Sequence, residues 1–293
     1  MIVLAGVSVV VFALTWLTGD PASVLLPINT PPDQIDAFRH QLGLDKPIPI
    51  QYLDFLGRAL HGDFGVSFRN RTAALPLVLS RLPVTLELMA ASLLFATAVS
   101  VPLGILAAAF HRKAPDFIAR FVALLGQSVA APWLGIMLIF VFAVNLRWLP
   151  SSGASQPQSV ILPAIVAGAY AAAGLTRLLR SSLLEVMAND YIRTARAKGL
   201  PPRLVIARHA LKNAAIPFIA FFGIQLTFMF GNTVVAESMF AYPGMSRLAL
   251  DAVATRDTPV IQVFVLLAGA LVVCVNLISD LLYAWLDPRV RLA

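Results

Sequence analysis

The sequence predicts an all-α polytopic membrane protein with six transmembrane helices, a helical loop on the cytosolic side and a small helical cap on the external side. Three observations carry this prediction. Hydrophobic residues make up 59% of the chain and charged residues 13%, with a mean hydropathy of +0.81. A typical soluble domain carries about 25% charged residues. Apolar runs near the ~20 residues needed to cross about 30 Å of hydrocarbon recur along the chain. One strongly basic island, Ser181–Lys212, interrupts them.

The six apolar segments are Ile2–Leu17, Val84–Phe110, Phe117–Leu146, Val160–Leu179, Ala214–Ala236 and Val260–Trp285. The first is short. A secretory signal peptide is its rival reading, weakened because no basic residues precede it and no small-residue cleavage site follows. The chain divides into a first transmembrane helix (1–18), an external helical loop (19–83) and a five-helix core (84–293) that contains the loop 181–212.

Orientation follows from Lys and Arg placement, since cytosolic loops collect positive charge. His111-Arg112-Lys113 with Arg120, the Arg and Lys residues of the island, and Arg289 with Arg291 fall on one side if there are six spans. That side is cytosolic, and both termini face it. The formal charge of +7 would suggest nucleic acid in a soluble protein. Here the positive-inside rule accounts for it, and no aromatic-basic stripe suited to single strands is present. The single cysteine, Cys274, excludes an internal disulfide and a cysteine metal cluster.

In the external loop, Thr30-Pro31-Pro32-Asp33 reads as a helix start. Ile35, Phe38 and Leu42 share a face before Gly43. Pro49 opens a second helix, with Tyr52, Leu53, Phe55, Leu56 and Leu60, ended by Gly62. This cap either packs over the bundle or also docks an external protein. In the last outer loop, Met239, Phe240 and Tyr242 precede a Pro243-Gly244 turn. Exposed aromatics on such a turn serve as a probe or plug, or anchor the membrane interface.

Within the island, Ser181–Lys198 reads as an extension of the fourth span. Gly199 fits a helix terminus that needs positive φ. Pro201 or Pro202 suits the first turn of a short following helix, which carries Arg203, Arg208 and His209 beside Leu204, Val205 and Ile206. That mixed basic and apolar surface suits a groove on another protein or an anionic lipid surface. Polar groups inside spans either line a path or hold helices together. The candidates are Gln127 and Ser128, Gln225 and Asn232, and Asn276 and Asp280. Asp280 is expected to pair with Arg177 or Arg180. The small-residue run Ala167–Gly174 points to close helix packing.

Several chemistries are missing. There is no GxxxxGKS/T phosphate loop, no HExxH and no GxSxG, and His40, His61, His111 and His209 are not at metal-ligand spacing. No catalytic, cofactor or metal site is expected, and any energy from ATP must come from another chain.

The residues RTARAKGL (193–200) followed by RHALKNAAIP (208–217) resemble the cytosolic coupling loop of binding-protein-dependent ABC importer permeases. The dipeptide/oligopeptide/nickel permease branch is the most similar. GDPA (19–22), LGLDKPIPIQY (42–52), GDFGVSF (62–68), LPVTLEL (82–88), DYIRTARAKGL (190–200), YPGM (242–245) and LDPRVR (286–291) continue the resemblance over nearly the whole chain, in order. The general loop opens Glu-Ala-Ala, where Arg193-Thr194-Ala195 stand here with Gly199 matching, and it ends Leu-Pro, where Leu211-Lys212 stand here. The peptide-type branch is similar to this chain at both departures. Family members also carry a basic segment before the first span, whereas this chain begins inside apolar sequence.

The resemblance implies a non-catalytic permease subunit in the bacterial inner membrane, with the island as a coupling helix. Its partners would be two ATPase subunits that bind ATP and Mg, a second related permease in a heterodimer, an external substrate-binding protein and the lipid bilayer. Arg193, Ala195, Lys198, Gly199, Leu200, Arg203 and Leu204 would contact the ATPase. Gln127, Ser128, Gln225 and Asn232 would line the path, and Met239, Phe240, Tyr242, Pro243 and Gly244 would meet the binding protein. Family solutes include peptides, nickel and glutathione-like molecules; the lack of His or carboxylate clusters in the spans favours a peptide. The alternative is a self-contained secondary transporter, which predicts an internal repeat and broken helices with ionisable midplane residues. A membrane enzyme ranks third.

Overall fold

The computed structural model describes residues 2–17, 30, 31, 34, 40 and 45–286. Its elements are α1 (Ile2–Leu17), α2 (Ile48–Leu60), α3 (Ala74–Ala109), α4 (Ala114–Ser128), α5 (Ala131–Leu138), α6 (Ile161–Met187), α7 (Asp190–Ala197), α8 (Pro202–Met239), α9 (Met245–Ala254) and α10 (Thr258–Leu286). Among the described residues the sole strand-like feature is an isolated bridge between Val66 and Ala73. The chain is all-α, as its composition requires: a backbone in hydrocarbon must satisfy its own hydrogen bonds, and helices do so within one segment.

Among the described residues, four helices are long and apolar enough to cross a membrane, or five if the α4–α5 pair is one span. Helix α1 has 16 residues, about 24 Å at 1.5 Å per residue, shorter than the roughly 30 Å of hydrocarbon. The expected third span, Phe117–Leu146, is not one straight helix. It breaks between α4 and α5 with a bend of 108°. Val129 and Ala130 are extended there, and Pro132 stands in the first turn of α5. A proline has no N–H to offer the carbonyl four residues back, and its ring clashes with that carbonyl. A straight helix through Ser128 is therefore disfavoured.

The island also differs from its expected form. Helix α6 stops at Met187, and α7 is a separate helix rather than an extension of the span. The basic segment after Pro202 is not separate either. It runs through a π-helical stretch, Val205–Ala210, directly into Leu211–Met239. The first cap helix, with Ile35, Phe38, Leu42 and Gly43, lies outside the described residues. The second begins at Ile48 with Pro49 in its first turn, and Gly62 beyond its end has φ +76°.

Two compact units divide the chain: residues 1–85 with 243–273, and residues 86–242 with 274–293. In the first, Ser8 Oγ and Tyr52 Oη are 2.8 Å apart, and the Phe12 ring meets those of Tyr52 and Phe55 edge-on or tilted, with Phe64 against Phe55, tying α2 to α1. The buried Asp257 carboxylate accepts from Ser67 Oγ at 2.5 Å and from the Phe68 backbone N–H at 3.1 Å. The Met245 backbone N–H donates to Thr85 Oγ1 at 2.8 Å.

In the second unit α6 is central. Its most apolar stretch is 72% buried, against 33% for α3 and α8. The small-residue run does what its composition suggests. Leu162, Ala164, Val166, Ala167, Gly168, Ala171, Ala172, Gly174 and Leu175 are all buried. A Cβ on Gly168 would lie 2.5 Å from the Ser92 carbonyl oxygen of α3. A Cβ on Gly174 would stand 3.1 Å from both Phe221 and Gln225 of α8.

Gly168→Ala pushes that Cβ into backbone that cannot rotate away. It should cost about 1–3 kcal/mol, read as a lowered thermal midpoint of the purified protein in detergent. Gly231→Ala on α8, where an added Cβ meets nothing within 4 Å, should leave the midpoint unchanged.

Candidate functional site

The island forms a surface held from below by apolar anchors. Asp190 opens α7 and Arg196 lies in its last turn, both favourable against the helix dipole. Ile192 and Ala195, three apart and so on one face, are buried. Val205 and Ala210 are buried on the next segment. All four join the apolar cluster that includes Leu175, Leu179 and Leu183 of α6, with Leu200 packed against it. Asn213 Nδ2 donates to Tyr191 Oη at 2.7 Å.

Gly199 makes the turn. Its φ is +78°, and its N–H donates to the Arg196 carbonyl at 2.9 Å. A Cβ there would touch nothing within 4 Å, so the requirement is backbone conformation rather than space. Pro201 is then extended and Pro202 starts α8.

Of the residues picked from sequence, Arg193, Lys198, Gly199, Arg203 and Leu204 are exposed and Leu200 is half-buried. They are brought together on one loop. Ala195 is buried and anchors the loop instead of presenting a surface. Arg193 pairs with Asp190 at 3.5 Å, both largely exposed, which contributes little to stability.

An ion cluster that sequence reading missed lies in the same unit. Asp116, in the first turn of α4, has a side chain only 1% exposed. Arg180 of α6 grips it with Nε at 2.6 Å from Oδ1 and Nη2 at 2.9 Å from Oδ2. The backbone N–H of Arg112 donates to Oδ2 at 3.0 Å. Arg120 Nε lies at 3.3 Å and His111 Nδ1 at 3.5 Å. Arg180 thus pairs with Asp116; the side chain of Asp280, expected to pair with Arg177 or Arg180, lies outside the described residues. The signal available was an acidic residue at a Pro-marked helix start, among His111, Arg112, Lys113 and Arg120.

The path candidates separate. Asn232 is half-buried and lines a cavity of ≈ 170 Å³ with Gly126, Val129, Ala131, Leu134, Val166, Ala169 and Tyr170. Gln225 is buried between α8 and α6, and its Nε2 has no hydrogen-bond partner. Gln127 is half-buried and Ser128 exposed, both at the α4 terminus beside the bend, and neither lines the cavity. Asn276 Oδ1 accepts from Thr227 Oγ1 at 2.7 Å, which is helix-to-helix bonding.

The outer aromatics are not exposed. Phe240 packs against Leu162, Val166, Ala131 and Leu134, and the Gly153 N–H donates to its carbonyl at 2.9 Å. Tyr242 is buried, and burial together with the Glu87 and Glu237 carboxylates holds its phenol above the usual range. Met239 and Pro243 are half-buried and Gly244 is buried. Leu250 and Val253 of α9 are the exposed apolar residues nearby in sequence. Among the described residues no group of His, Cys, Asp and Glu could hold a metal ion.

Comparison of the sequence with known proteins points to one family. The family of binding-protein-dependent transport system inner membrane components matches residues 100–292. The N-terminal family of the same systems' membrane components matches residues 1–89. The glutathione transport system permease protein GsiC of Escherichia coli (strain K12) is 40% identical over 286 residues, covering 97% of this chain and 94% of the relative. GsiC of Shigella dysenteriae serotype 1 (strain Sd197) matches equally, at 40% over the same length. Among solved structures, the MetNI methionine ABC transporter in an inward-facing conformation aligns with a TM-score of 0.61 at 18% identity, over 72% of this chain and 96% of that one. An amino acid ABC transporter crystallised with histidines aligns with a TM-score of 0.56 at 12% identity, over 71% and 93%.

Cysteines placed at Arg203 and Leu204 should react rapidly with a water-soluble maleimide in the purified permease, after Cys274→Ser removes the native exposed thiol. Cysteines at Ala195 and Phe240 should react roughly a hundredfold more slowly, because they open only with local unfolding. Equal rates at Ala195 and Arg203 would show that the loop is not anchored.

Proposed function

The chain belongs to the family of binding-protein-dependent transport system inner membrane components, and on that premise we propose how its parts divide the work. It is a non-catalytic, multi-pass permease subunit of an ABC importer of the inner membrane. Such an importer implies ATPase subunits and a substrate-binding protein as partners.

In our reading, the 181–212 loop docks on the ATPase subunits, which bind ATP and Mg. Arg193, Lys198, Gly199, Leu200, Arg203 and Leu204 form the contact, and Ala195 supports it from within. The observation that carries this is the combination of an exposed basic surface, a positive-φ glycine and buried anchors in one loop. Docking on lipid is disfavoured by the same anchors. An interfacial helix inserts its apolar face into the acyl boundary, but Ile192 and Ala195 of α7 are already used in the protein core.

A second, related permease would complete the assembly as a heterodimer, because one loop serves one ATPase domain and an ATP sandwich needs two. Both termini would be cytosolic and the 19–83 loop external. We assign the external binding protein to that loop and to the exposed Leu250 and Val253. The solute would be peptide-like. The cavity at the α4–α5 bend counts Asn232 and Tyr170 among its lining residues and no charged residue, which suits amide hydrogen bonding. The relatives named for glutathione transport fit that class. A self-contained secondary transporter would use ionisable groups at a broken helix. The break here is flanked by Gln127 and Ser128, with no ionisable side chain between Ser128 and Ala131.

Gly199→Val forces a β-branched residue to φ +78°, a strain of about 1–3 kcal/mol. Uptake of radiolabelled glutathione or a short peptide per ATP hydrolysed should fall roughly tenfold, the scale of typical coupling energies, while membrane insertion persists. Wild-type uptake per ATP in this variant would refute the assignment of Gly199.

A further inference from the structure

The face that α4 turns toward α6 is smooth except at one point. Asp116, Ala119, Ala123 and Gly126, spaced three and four apart, lie along it. Asp116, Ala119 and Ala123 are buried. Gly126 approaches the Ala169 backbone so closely that a Cβ would stand 3.2 Å from its carbonyl oxygen. Small residues allow backbones to approach, but a small-residue face offers no knobs to stop one helix sliding along another. The Asp116 carboxylate supplies the stop. Arg180 holds it through both arms of a fork, which fixes direction as well as distance. The Arg112 N–H, Arg120 and His111 occupy the remaining sides. A carboxylate this buried is tolerable only while paired.

The surroundings connect this stop to both working parts of the chain. On α6, Leu179 and Leu183 flank Arg180 and belong to the same apolar cluster as Ile192, Ala195 and Val205 beneath the docking loop. Along α4, the chain leads from Asp116 to Gly126 and Val129, which line the cavity with Asn232. We propose that Asp116 is a positioning residue for transport: it locks the register of α4 on α6, so that displacement of the 181–212 loop reaches the bend and cavity as rigid-body motion. This rests on the docking of that loop on the ATPase. Without the lock, the driven motion is lost in slippage of α4 by about one helical turn, roughly 5.4 Å.

The test uses the complete importer with its binding protein in lipid nanodiscs, with Cys274→Ser and spin labels at Ala197→Cys and Ser128→Cys, both exposed positions. The label-to-label distance is measured without nucleotide and after trapping with ATP, Mg and vanadate. With Asp116 intact, the distribution should be narrow and the same in both states. In Asp116→Asn it should broaden and shift on trapping by about 5 Å, one turn, with ATPase subunits still co-purifying. Arg180→Lys keeps the charge but loses the fork, and should give a smaller shift; it serves if Asp116→Asn does not fold. A merely structural role would lower the yield of complex without a nucleotide-dependent shift. Distances in both variants that match the unaltered chain in both states overturn the lock. Failure of the ATPase subunits to co-purify even with the unaltered chain overturns the docking reading itself, and the lock with it.

Discussion

Close approach of helices to α6 is the constraint on which the second unit depends. Between helices in a bilayer there is no hydrophobic drive to associate, because lipid tails are as apolar as leucine. Stability must come from packing and from satisfied polar groups. The alanines and glycines of α6 permit both. They bring Ser92 of α3, Ala169 against Gly126 of α4, and Phe221 and Gln225 of α8 to near-backbone distances. The same helix then extends past its small-residue stretch to Leu179 and Leu183, which become the floor for the basic loop.

That floor explains how so polar a loop keeps a defined shape. Four small or aliphatic residues, Ile192, Ala195, Val205 and Ala210, are buried beneath it, while the charges above them remain in solvent. Gly199 reverses the chain between the two anchored segments at φ +78°. A short helix of this kind is marginal alone, so its persistence depends on the anchors and not on its own propensity. The surface it presents is therefore tied to the position of α6.

Much of this was legible in the sequence because it rests on local rules. Run length located the apolar helices, the Ala167–Gly174 run announced close packing, and the Gly199–Pro202 stretch announced a positive-φ turn followed by a helix start. What was not legible depended on tertiary choice. Pro132 could kink or break a helix, and hydropathy alone read Phe117–Leu146 as one span. Arg180 had several carboxylates to choose from, and nothing in sequence ranked Asp116 above Asp280. Phe240 and Tyr242 sit beside a turn motif that suggests exposure, yet the rings are buried. Ala195 fell within a recognisable motif, but motif membership does not say which side of a helix meets solvent. The π-helical run Val205–Ala210 has no sequence marker that we can name.

In the proposed division of work, the 181–212 loop is where this permease meets its ATPase. A photo-crosslinking residue at Leu204, exposed beside Arg203, tests it most directly in native membranes containing the whole importer. The expected product is an adduct between this chain and an ATPase subunit, changed in yield by ATP. Adducts only to lipid, or only to this chain's own helices, would contradict it.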